Sequence, residues 1–269
     1  MVNLSGRIRQ RLTPAMLSIL KEAGGTASEM GYRAYAVGGM VRDLLLGLEQ
    51  LDVDIVIEGD GIRFARHFAL QQGAQVRSHE RFGTATITFP DQLRVDIATA
   101  RTEVYERPAV LPRVNPGTIR DDMRRRDFTI NALAVSLMPG EFGRLLDFFR
   151  GVRDLRERRI RVLHEQSFMD DPTRIFRAVR FEARLGFRIV RPTEKMLIEA
   201  LSRSVLSELE DYRIATELRL ILEEPDPAGP LKRLADLGII DDLKSREARQ
   251  RVLEKQLKRA VHVLTSEGE

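Results

Sequence analysis

The sequence predicts an α+β fold, in which a small mixed β-sheet with helices is followed by an all-helical region. Three observations predict it. Strand and helix patterns alternate in the first half of the chain, and strand signals fade after Thr118, where helical patterns take over. The chain has 269 residues, of which 43% are apolar, so it can build more than one hydrophobic core.

Five segments of the first half alternate between helix and strand. The first helix is predicted to begin with the capping residue Thr13 and Pro14 at its first position. The second segment is a strand that ends in a glycine pair, and the third is a short helix that stops at Gly47. A second strand and a further helix follow. In chain order, these segments are "TPAMLSILKEAG", "YRAYAVGG", "MVRDLLLG", "LDVDIVI" and "IRFARHFALQQG".

The next segments predict a hairpin, a loop and then helices. Two β-rich runs, "TATITFP" and "LRVDIATA", are joined by "PDQ", which favours a hairpin. Three prolines and a glycine in "ERPAVLPRVNPG" indicate a long loop. The predicted helices after Thr118 are "IRDDMRRRDFTINALAVSL", "DDPTRIFRAVRFEARLG", "TEKMLIEALSRSVLSEL", "DYRIATELRLILEE" and "LKRLADLGIIDDL".

The composition excludes several kinds of site. The chain has no cysteine, so disulfides and cysteine-ligated metals are ruled out, and a cytoplasmic protein is expected. No apolar stretch approaches the roughly 20 residues that span a membrane, and the four histidines lack metal-ligand spacing. A formal net charge of +4 is compatible with a polyanionic partner but does not indicate one.

Two aspartates interrupt the strand "LDVDIVI". Because side chains alternate along a strand, Asp52 and Asp54 are predicted to share one face, about 7 Å apart at Cα. Two such carboxylates repel each other and resist burial unless a cation neutralises them. Magnesium, a hard cation with oxygen ligands, suits such a pair. The alternative is a sheet whose second face simply meets water.

A glycine pair and a third carboxylate lie close to this strand in the sequence. Gly38 and Gly39 end one strand and open a helix that carries Arg42, so backbone N–H groups and the helix N-terminus can approach an anion. In "RVDIA", Asp96 could converge on the same site as Asp52 and Asp54. The alternatives are a plain tight turn for the glycines and a solvent-facing strand residue for Asp96.

At these residues the sequence resembles the nucleotidyltransferase superfamily, in its branch of class II tRNA nucleotidyltransferases and bacterial poly(A) polymerases. The resemblance begins at "VGGMVRDLLLGLEQLDVDIVI" and runs in unbroken order over about residues 31 to 190. It continues through "HERFGTATITF", "VDIATARTEVYERPAVLP", "RRDFTINALAV", "DFFRGVRDL" and "DDPTRIFRAVRFEARLGF".

The resemblance implies a reaction and a set of residues for it. In this family a primer 3′-hydroxyl attacks the α-phosphate of a nucleoside triphosphate, pyrophosphate leaves, and two Mg²⁺ ions assist. Asp52 and Asp54 would hold the metal ions, with Asp96 as a third catalytic carboxylate. The triphosphate would be held by Gly38, Gly39 and Arg42, and the nucleotide's sugar and phosphates by Arg125, Arg126, Asp127 and Asn131.

Some of these residues have a simpler explanation. Asp127 can serve only to cap a helix, and "DFFRGVRDL" matches the family's connector, so Asp147, Gly151 and Asp154 are expected to be mainly architectural. Arg177 and Arg180 are assigned to the nucleotide-binding set, although they could instead brace the helical region.

The motif "DDPTR" is implied to recognise the incoming base. Asp171 and Arg174 would form a protein template for its Watson–Crick edge, because adenine and cytosine pair an exocyclic amino group with a ring acceptor. Guanine and uracil present a carbonyl oxygen where that amino group would be. The alternative is a capping residue, Asp171, followed by Pro172 at the first helical position.

The resemblance implies a catalytic head at 1–148, a helical neck with the base-recognition motif at 149–225, and the start of a helical body, expected to be incomplete, at 226–269. The expected function is addition of C, A or both to a tRNA 3′ end from CTP and ATP, without a nucleic-acid template. The alternatives are a bacterial poly(A) polymerase and a catalytically silent RNA-binding module. No membrane partner is expected.

Overall fold

The computed structural model forms two compact units. The first comprises Met1–Val104 and Arg113–Leu155, and the second comprises Tyr105–Pro112 and Arg156–Glu269. The α+β class is confirmed, whereas the predicted division into head, neck and body stays a prediction. The described residues are 2–48, 52–245 and 251–266.

A seven-stranded mixed sheet forms the first unit, in the order β3-β4-β5-β2-β1-β8-β9. Only the central pair β2–β5 is parallel. The other neighbours are antiparallel, and a separate hairpin joins β6 to β7. The strands are β1 Arg33–Val37, β2 Val53–Glu58, β3 Gln75–His79, β4 Thr84–Thr88, β5 Arg94–Thr99, β6 Arg101–Val104, β7 Arg113–Pro116, β8 Ala134–Ser136 and β9 Leu145–Leu146.

Among the described residues of this unit, six helices accompany the sheet, and the predicted start and stop signals act as expected. The Thr13 side chain accepts a hydrogen bond from the backbone N–H of Met16 at the start of α2, and Gly47 ends α3 in the left-handed conformation. The helices are α1 Ser5–Arg11, α2 Pro14–Glu29, α3 Gly39–Leu46, α4 Gly61–Gln71, α5 Ile119–Arg124 and α6 Gly151–Arg156.

Three sequence predictions for this unit need correction. The segment "ERPAVLPRVNPG" is not loop throughout, because its end forms β7 and pairs with β6. The long helix predicted from Ile119 ends at Arg124. A short 3₁₀ turn follows, and β8 then pairs with β1 in the sheet. Strand β3 was not anticipated. Its side chains are mostly exposed, so it lacks the apolar alternation that marks a half-buried strand.

The connector "DFFRGVRDL" has a structural role in the first unit. Asp147 accepts hydrogen bonds from the backbone N–H groups of Gly151 and Val152, 2.7 and 3.0 Å away, at the start of α6. A Cβ atom on Gly151 would lie 2.2 Å from the carbonyl oxygen of Thr129, so only glycine fits there. The Thr129 hydroxyl donates to Asp154 at 2.7 Å. These contacts fit the expected architectural role.

The second unit is helical, apart from a two-residue parallel bridge between β10 Arg159–Ile160 and β11 Arg188–Ile189. The helices predicted in "DDPTRIFRAVRFEARLG" and "DYRIATELRLILEE" are present with bounds close to those expected. The helix predicted in "TEKMLIEALSRSVLSEL" ends early, at Ser202, because Ser204 is left-handed, and "LKRLADLGIIDDL" forms two helices separated at Gly238, whose φ is positive. The described helices of this unit are α7 Ser167–Asp170, α8 Thr173–Leu185, α9 Arg191–Ser202, α10 Asp211–Leu222, α11 Ala228–Asp236, α12 Ile239–Ser245 and α13 Arg251–Ser266. Among the described residues, no helix is long and apolar enough to cross a membrane.

Candidate active site

The acidic side chains of the first unit meet on the central strands of the sheet. The parallel register of β2 and β5 aligns Asp54 with Asp96, and the antiparallel register of β4 and β5 aligns Thr86 with Asp96. The Thr86 hydroxyl donates a hydrogen bond of 2.6 Å to the Asp96 carboxylate. Aligned residues of neighbouring strands lie on the same face, so these three form a polar row across the sheet.

This row borders a cavity of about 350 Å³. Its polar lining consists of two carboxylates, two threonines and a guanidinium, and the other lining residues are apolar residues of the strands. The polar residues at the cavity are Asp54, Asp96, Thr84, Thr86 and Arg126. The cavity is thus open to an ionic ligand at the acidic strand.

The surroundings of Asp54 disfavour the charged form of its carboxyl group. Burial, together with the nearby charges of Asp96 and Asp52, raises its pKa to about 6 despite the opposing charge of Arg126. Asp52 is exposed and precedes β2, which begins at Val53, so Asp52 is not part of the strand, contrary to the prediction. Leu51, its predicted first residue, lies outside the described residues.

The glycine turn lies directly beside this carboxylate. A Cβ atom built on Gly38 would lie 4.0 Å from an Asp54 carboxylate oxygen and 2.6 Å from Nη1 of Arg126. Gly38 also has φ of 65° and caps the start of α3. Both the close approach and the positive φ select glycine. The predicted neighbourhood of acidic strand and glycine turn is therefore present, with no core between them.

Arg125 and Arg126 are held by one buried carboxylate, that of Asp122. Arg125 donates to Oδ1 at 2.9 and 2.7 Å, and Arg126 donates to Oδ2 at 3.3 and 3.0 Å. Burial alone would raise the pKa of Asp122, but Arg126 and Arg125 outweigh it and hold the pKa below its usual range. Glu103 accepts a further bond of 3.0 Å from Arg125.

Asp122 and Glu103 did not stand out in the sequence. The spacing of Asp122 three and four residues before the two arginines, within a predicted helix, was a usable signal. Glu103 reaches Arg125, at the end of α5, from strand β6, and no local pattern indicates that contact.

Arg42, Asp127 and Asn131 belong to one buried polar network. The Arg42 guanidinium pairs with both oxygens of Asp43, at 2.7 and 2.8 Å, and donates to the side-chain oxygen of Asn131 at 2.7 Å. The Asn131 amide donates to Asp127 at 3.0 Å. A Cβ atom on Gly39 would lie 3.6 Å from Nη2 of Arg42, so this network lies next to the glycine turn. Asp127 follows the end of α5 and does not cap a helix start.

In the second unit, Asp171 lies between α7 and α8 rather than on a helix. Its backbone is extended (φ −137°, ψ 92°), because the proline that follows disfavours helical geometry in the residue before it. Its Oδ1 accepts hydrogen bonds from the backbone N–H and the hydroxyl of Thr173, at 3.1 and 2.6 Å. Asp171 thus makes a capping contact at the start of α8 and still keeps a partly exposed carboxylate.

Arg174 is buried in the first turn of α8. Its guanidinium donates to the Ser167 hydroxyl at 2.7 Å. Burial and the charge of Asp171 raise the pKa of Asp170, and Arg174 opposes this shift. Asp170, which the sequence did not single out, is therefore electrostatically coupled to both residues of the expected base template.

Arg177 and Arg180 lie further along α8, and both guanidinium carbons lie over the ring of Phe181, at 5.5 and 5.6 Å. Burial lowers the pKa of Arg180, against the opposing charge of Glu217. These contacts suit bracing of the helical unit at least as well as nucleotide binding.

Residues 34–161 match the family model of the poly A polymerase head domain, and this match includes the Gly38 turn and the strand that carries Asp54. The A-adding tRNA nucleotidyltransferase of Geobacter sulfurreducens is 49% identical over 89% of this chain and 27% of its own length. The enzyme of the same name from Halalkalibacterium halodurans is 40% identical over 88% of this chain and 56% of its own length.

A solved structure agrees. The Thermotoga maritima CCA-adding enzyme complexed with tRNA_CCA superposes with a TM-score of 0.82 at 41% identity, over 93% of this chain and 57% of that one. These similarities confirm the sequence resemblance to class II tRNA nucleotidyltransferases and bacterial poly(A) polymerases. The chain spans between about a quarter and a little over half of the length of these relatives.

Proposed function

We propose that the chain carries the catalytic and base-recognition parts of a tRNA 3′-end nucleotidyltransferase that adds A from ATP. The observation that carries this proposal is the Asp54 carboxylate, which lies beside Asp96 and next to the Gly38 turn at one cavity. The two relatives described above, both named A-adding tRNA nucleotidyltransferases, favour A over C as the added residue.

The donor set fits a divalent cation. Asp54 is partly buried near two other carboxylates and its pKa is raised to about 6, so a bound cation would relieve the repulsion. Mg²⁺ is often held by only one or two carboxylates together with substrate phosphates. In the part of the chain that the structure describes, no three acidic or histidine side chains form a ready-made metal cluster. Asp52 and Asp54 would therefore hold Mg²⁺ only with the triphosphate present.

When bound, two Mg²⁺ ions would supply charge neutralisation to the attacking and leaving oxygens. The chain's own residues position the nucleotide. The N–H groups of the Gly38–Gly39 turn at the start of α3 are suited to the triphosphate. Arg126, anchored by Asp122 beside that turn, adds positive charge where pyrophosphate would form. The glycine turn also lies next to the buried network of Arg42, Asn131 and Asp127.

The base would be selected in the second unit. Asp171 presents a partly exposed carboxylate, which accepts a hydrogen bond from the exocyclic amino group of adenine or cytosine. Guanine and uracil would place a carbonyl oxygen against it.

The test is incorporation on defined RNA ends. The protein is incubated with Mg²⁺, one labelled triphosphate and tRNA transcripts that end before the CCA, after its first C or after its second C. We expect a single A on the transcript that ends in CC and no extension of the others. Addition of C to the shorter transcripts would overturn the A-adding assignment, and no incorporation of any nucleotide would overturn the enzymatic proposal.

A poly(A) polymerase is a second candidate, because the matching family model is that of the poly A polymerase head domain. The same assay separates the two. Long A-tails, formed without dependence on a tRNA body, would favour the polymerase. Binding of RNA without any nucleotide transfer would favour an RNA-binding module.

A further inference from the structure

The orientation of the Asp171 carboxylate depends on a residue distant in sequence. Arg213, on α10, donates a hydrogen bond of 2.7 Å from Nη2 to Oδ1 of Asp171. The same oxygen accepts both bonds from Thr173. The hydrogen bonds that described residues make to this carboxylate thus all end on Oδ1. Oδ2 accepts none of these three bonds.

Arg213 also holds a loop. Its Nη1 donates a bond of 2.8 Å to the carbonyl oxygen of Ala109. Ala109 lies in Tyr105–Pro112, the segment that groups with the helical unit although the residues on both sides of it belong to the sheet unit. Ala109 is buried and has φ of 62°, so its carbonyl is presented by a specific left-handed backbone conformation.

One planar guanidinium therefore joins the candidate base-recognition carboxylate to the loop. The side chains of Arg213 and Asp171 are both largely buried, with 19% and 22% of their surface exposed. Two hydrogen bonds from one rigid fork fix direction as well as distance. A lysine at this position would keep the charge but would lack the planar fork that serves both acceptors.

We propose that Arg213 is a positioning residue for base selection, which turns Oδ2 of Asp171 towards the incoming base and ties that orientation to the loop Tyr105–Pro112. This inference rests on the proposed function, because it assumes that Asp171 reads the base. In this proposal, the protein needs Arg213 to distinguish bases that carry an amino group from bases that carry a carbonyl oxygen at the same position.

The first experiment compares Arg213→Lys with Arg219→Lys. Arg219 lies on the same helix, is half-exposed and pairs only locally with Glu223, so its substitution is a matched control. The dissociation constants of ATP, CTP, GTP and UTP are measured by competition with a fluorescent nucleotide, and folding is checked by circular dichroism melting. We expect Arg213→Lys to lower the preference for ATP over GTP by roughly tenfold or more, and Arg219→Lys to leave it unchanged.

Each outcome has a defined meaning. A parent protein that binds all four nucleotides equally well would overturn the proposed base template, and this inference with it. A parent that discriminates, together with an Arg213→Lys variant that discriminates equally well, would overturn the inference alone. Weaker binding of all four nucleotides by the same factor would also overturn it, because a general loss of structure does not change the ratio between bases.

The second experiment tests the link to the loop. Ala109→Val places a β-branched residue in a left-handed conformation that it strongly disfavours, and so displaces the carbonyl that Arg213 binds. If Arg213 transmits the loop position to Asp171, Ala109→Val lowers the ATP/GTP ratio, and adding Arg213→Lys lowers it little further. Additive losses in the double variant, or an unchanged ratio in Ala109→Val, would contradict the link.

Discussion

The two candidate sites of this chain are built in different ways. The acidic site of the first unit consists of neighbouring strands and one glycine turn, so Asp54, Asp96 and Gly38 are brought together by sheet register and local backbone geometry. In the second unit, Asp171 lies on a short connection, and its carboxylate is held by Thr173 and by Arg213 from another helix. The first site is thus fixed by the fold, whereas the second is fixed by side chains and can be retuned without changing the fold.

The largest expected effect belongs to the acidic site. Asp54→Asn keeps the size of the side chain but removes the charge that would hold Mg²⁺, so nucleotide incorporation should fall by roughly 100- to 1,000-fold. Asp91→Asn is the control, because an amide oxygen can still accept the turn bond from the N–H of Leu93. Incorporation by Asp54→Asn at more than half of the parent rate would show that the acidic site is not catalytic.

The same substitution should make the apoprotein more stable. In the folded chain the pKa of Asp54 is raised from 3.8 to about 6, so the folded state binds more protons than the unfolded state between these values. The free energy of unfolding therefore falls as pH rises through this window. Without divalent ions, Asp54→Asn should remove a penalty on the order of 2–3 kcal/mol at pH 7.

Urea unfolding of the parent and of Asp54→Asn at several pH values between 4 and 7 measures this difference. It should grow as pH rises. A difference that stays constant over the range would mean that the carboxylate is solvated like an ordinary surface aspartate.

In the second unit, the predicted effect is on selectivity. We expect CTP and ATP to bind better than GTP and UTP, and Asp171→Ala to erase most of this preference. The unpaired polar groups of a mismatched base cost about 1–3 kcal/mol each, and the variant no longer imposes that cost. Competition binding of the four triphosphates measures it. Equal affinities in the parent would remove the basis for a base template.

A smaller effect, without dependence on the base, is expected for Asp122→Asn. The amide cannot pair with two guanidinium groups, so Arg125 and Arg126 lose their common anchor. All four triphosphates should bind about tenfold more weakly, by the same factor. Asp121→Asn, at the partly exposed neighbouring position, is the control, because an amide oxygen can still accept the hydrogen bonds from Thr118. A change in the preference between bases in Asp122→Asn would contradict the separation of the two sites.

Much of the first unit could be predicted from sequence because its signals are local. Thr13 with Pro14, Gly47 and the alternation around Asp54 each determine an element through its neighbours in the chain. Strand β8 was missed because it is short, buried and preceded by a helix-like arginine run, so only pairing with β1 reveals it.

The candidate sites were predictable to different extents for the same reason. The proximity of Asp54 to Gly38 followed from a strand, a glycine turn, a short helix and a second strand in succession. Asp171 is not part of the helix predicted in "DDPTRIFRAVRFEARLG", because Pro172 disfavours helical geometry in the residue before it. The alternative role of Asp171 as a capping residue is confirmed by its contact with Thr173. Arg213 could not be found from sequence, because its partners Asp171 and Ala109 are 42 and 104 residues away and no periodic pattern links them.

The most direct test of the central claim is a crystal structure with Mn²⁺ and a non-hydrolysable ATP analogue, with the ions located by anomalous scattering. We expect anomalous peaks within coordination distance of Asp52 and Asp54, with the triphosphate against the Gly38–Gly39 turn. Ions bound elsewhere, and a triphosphate away from that turn, would contradict that claim.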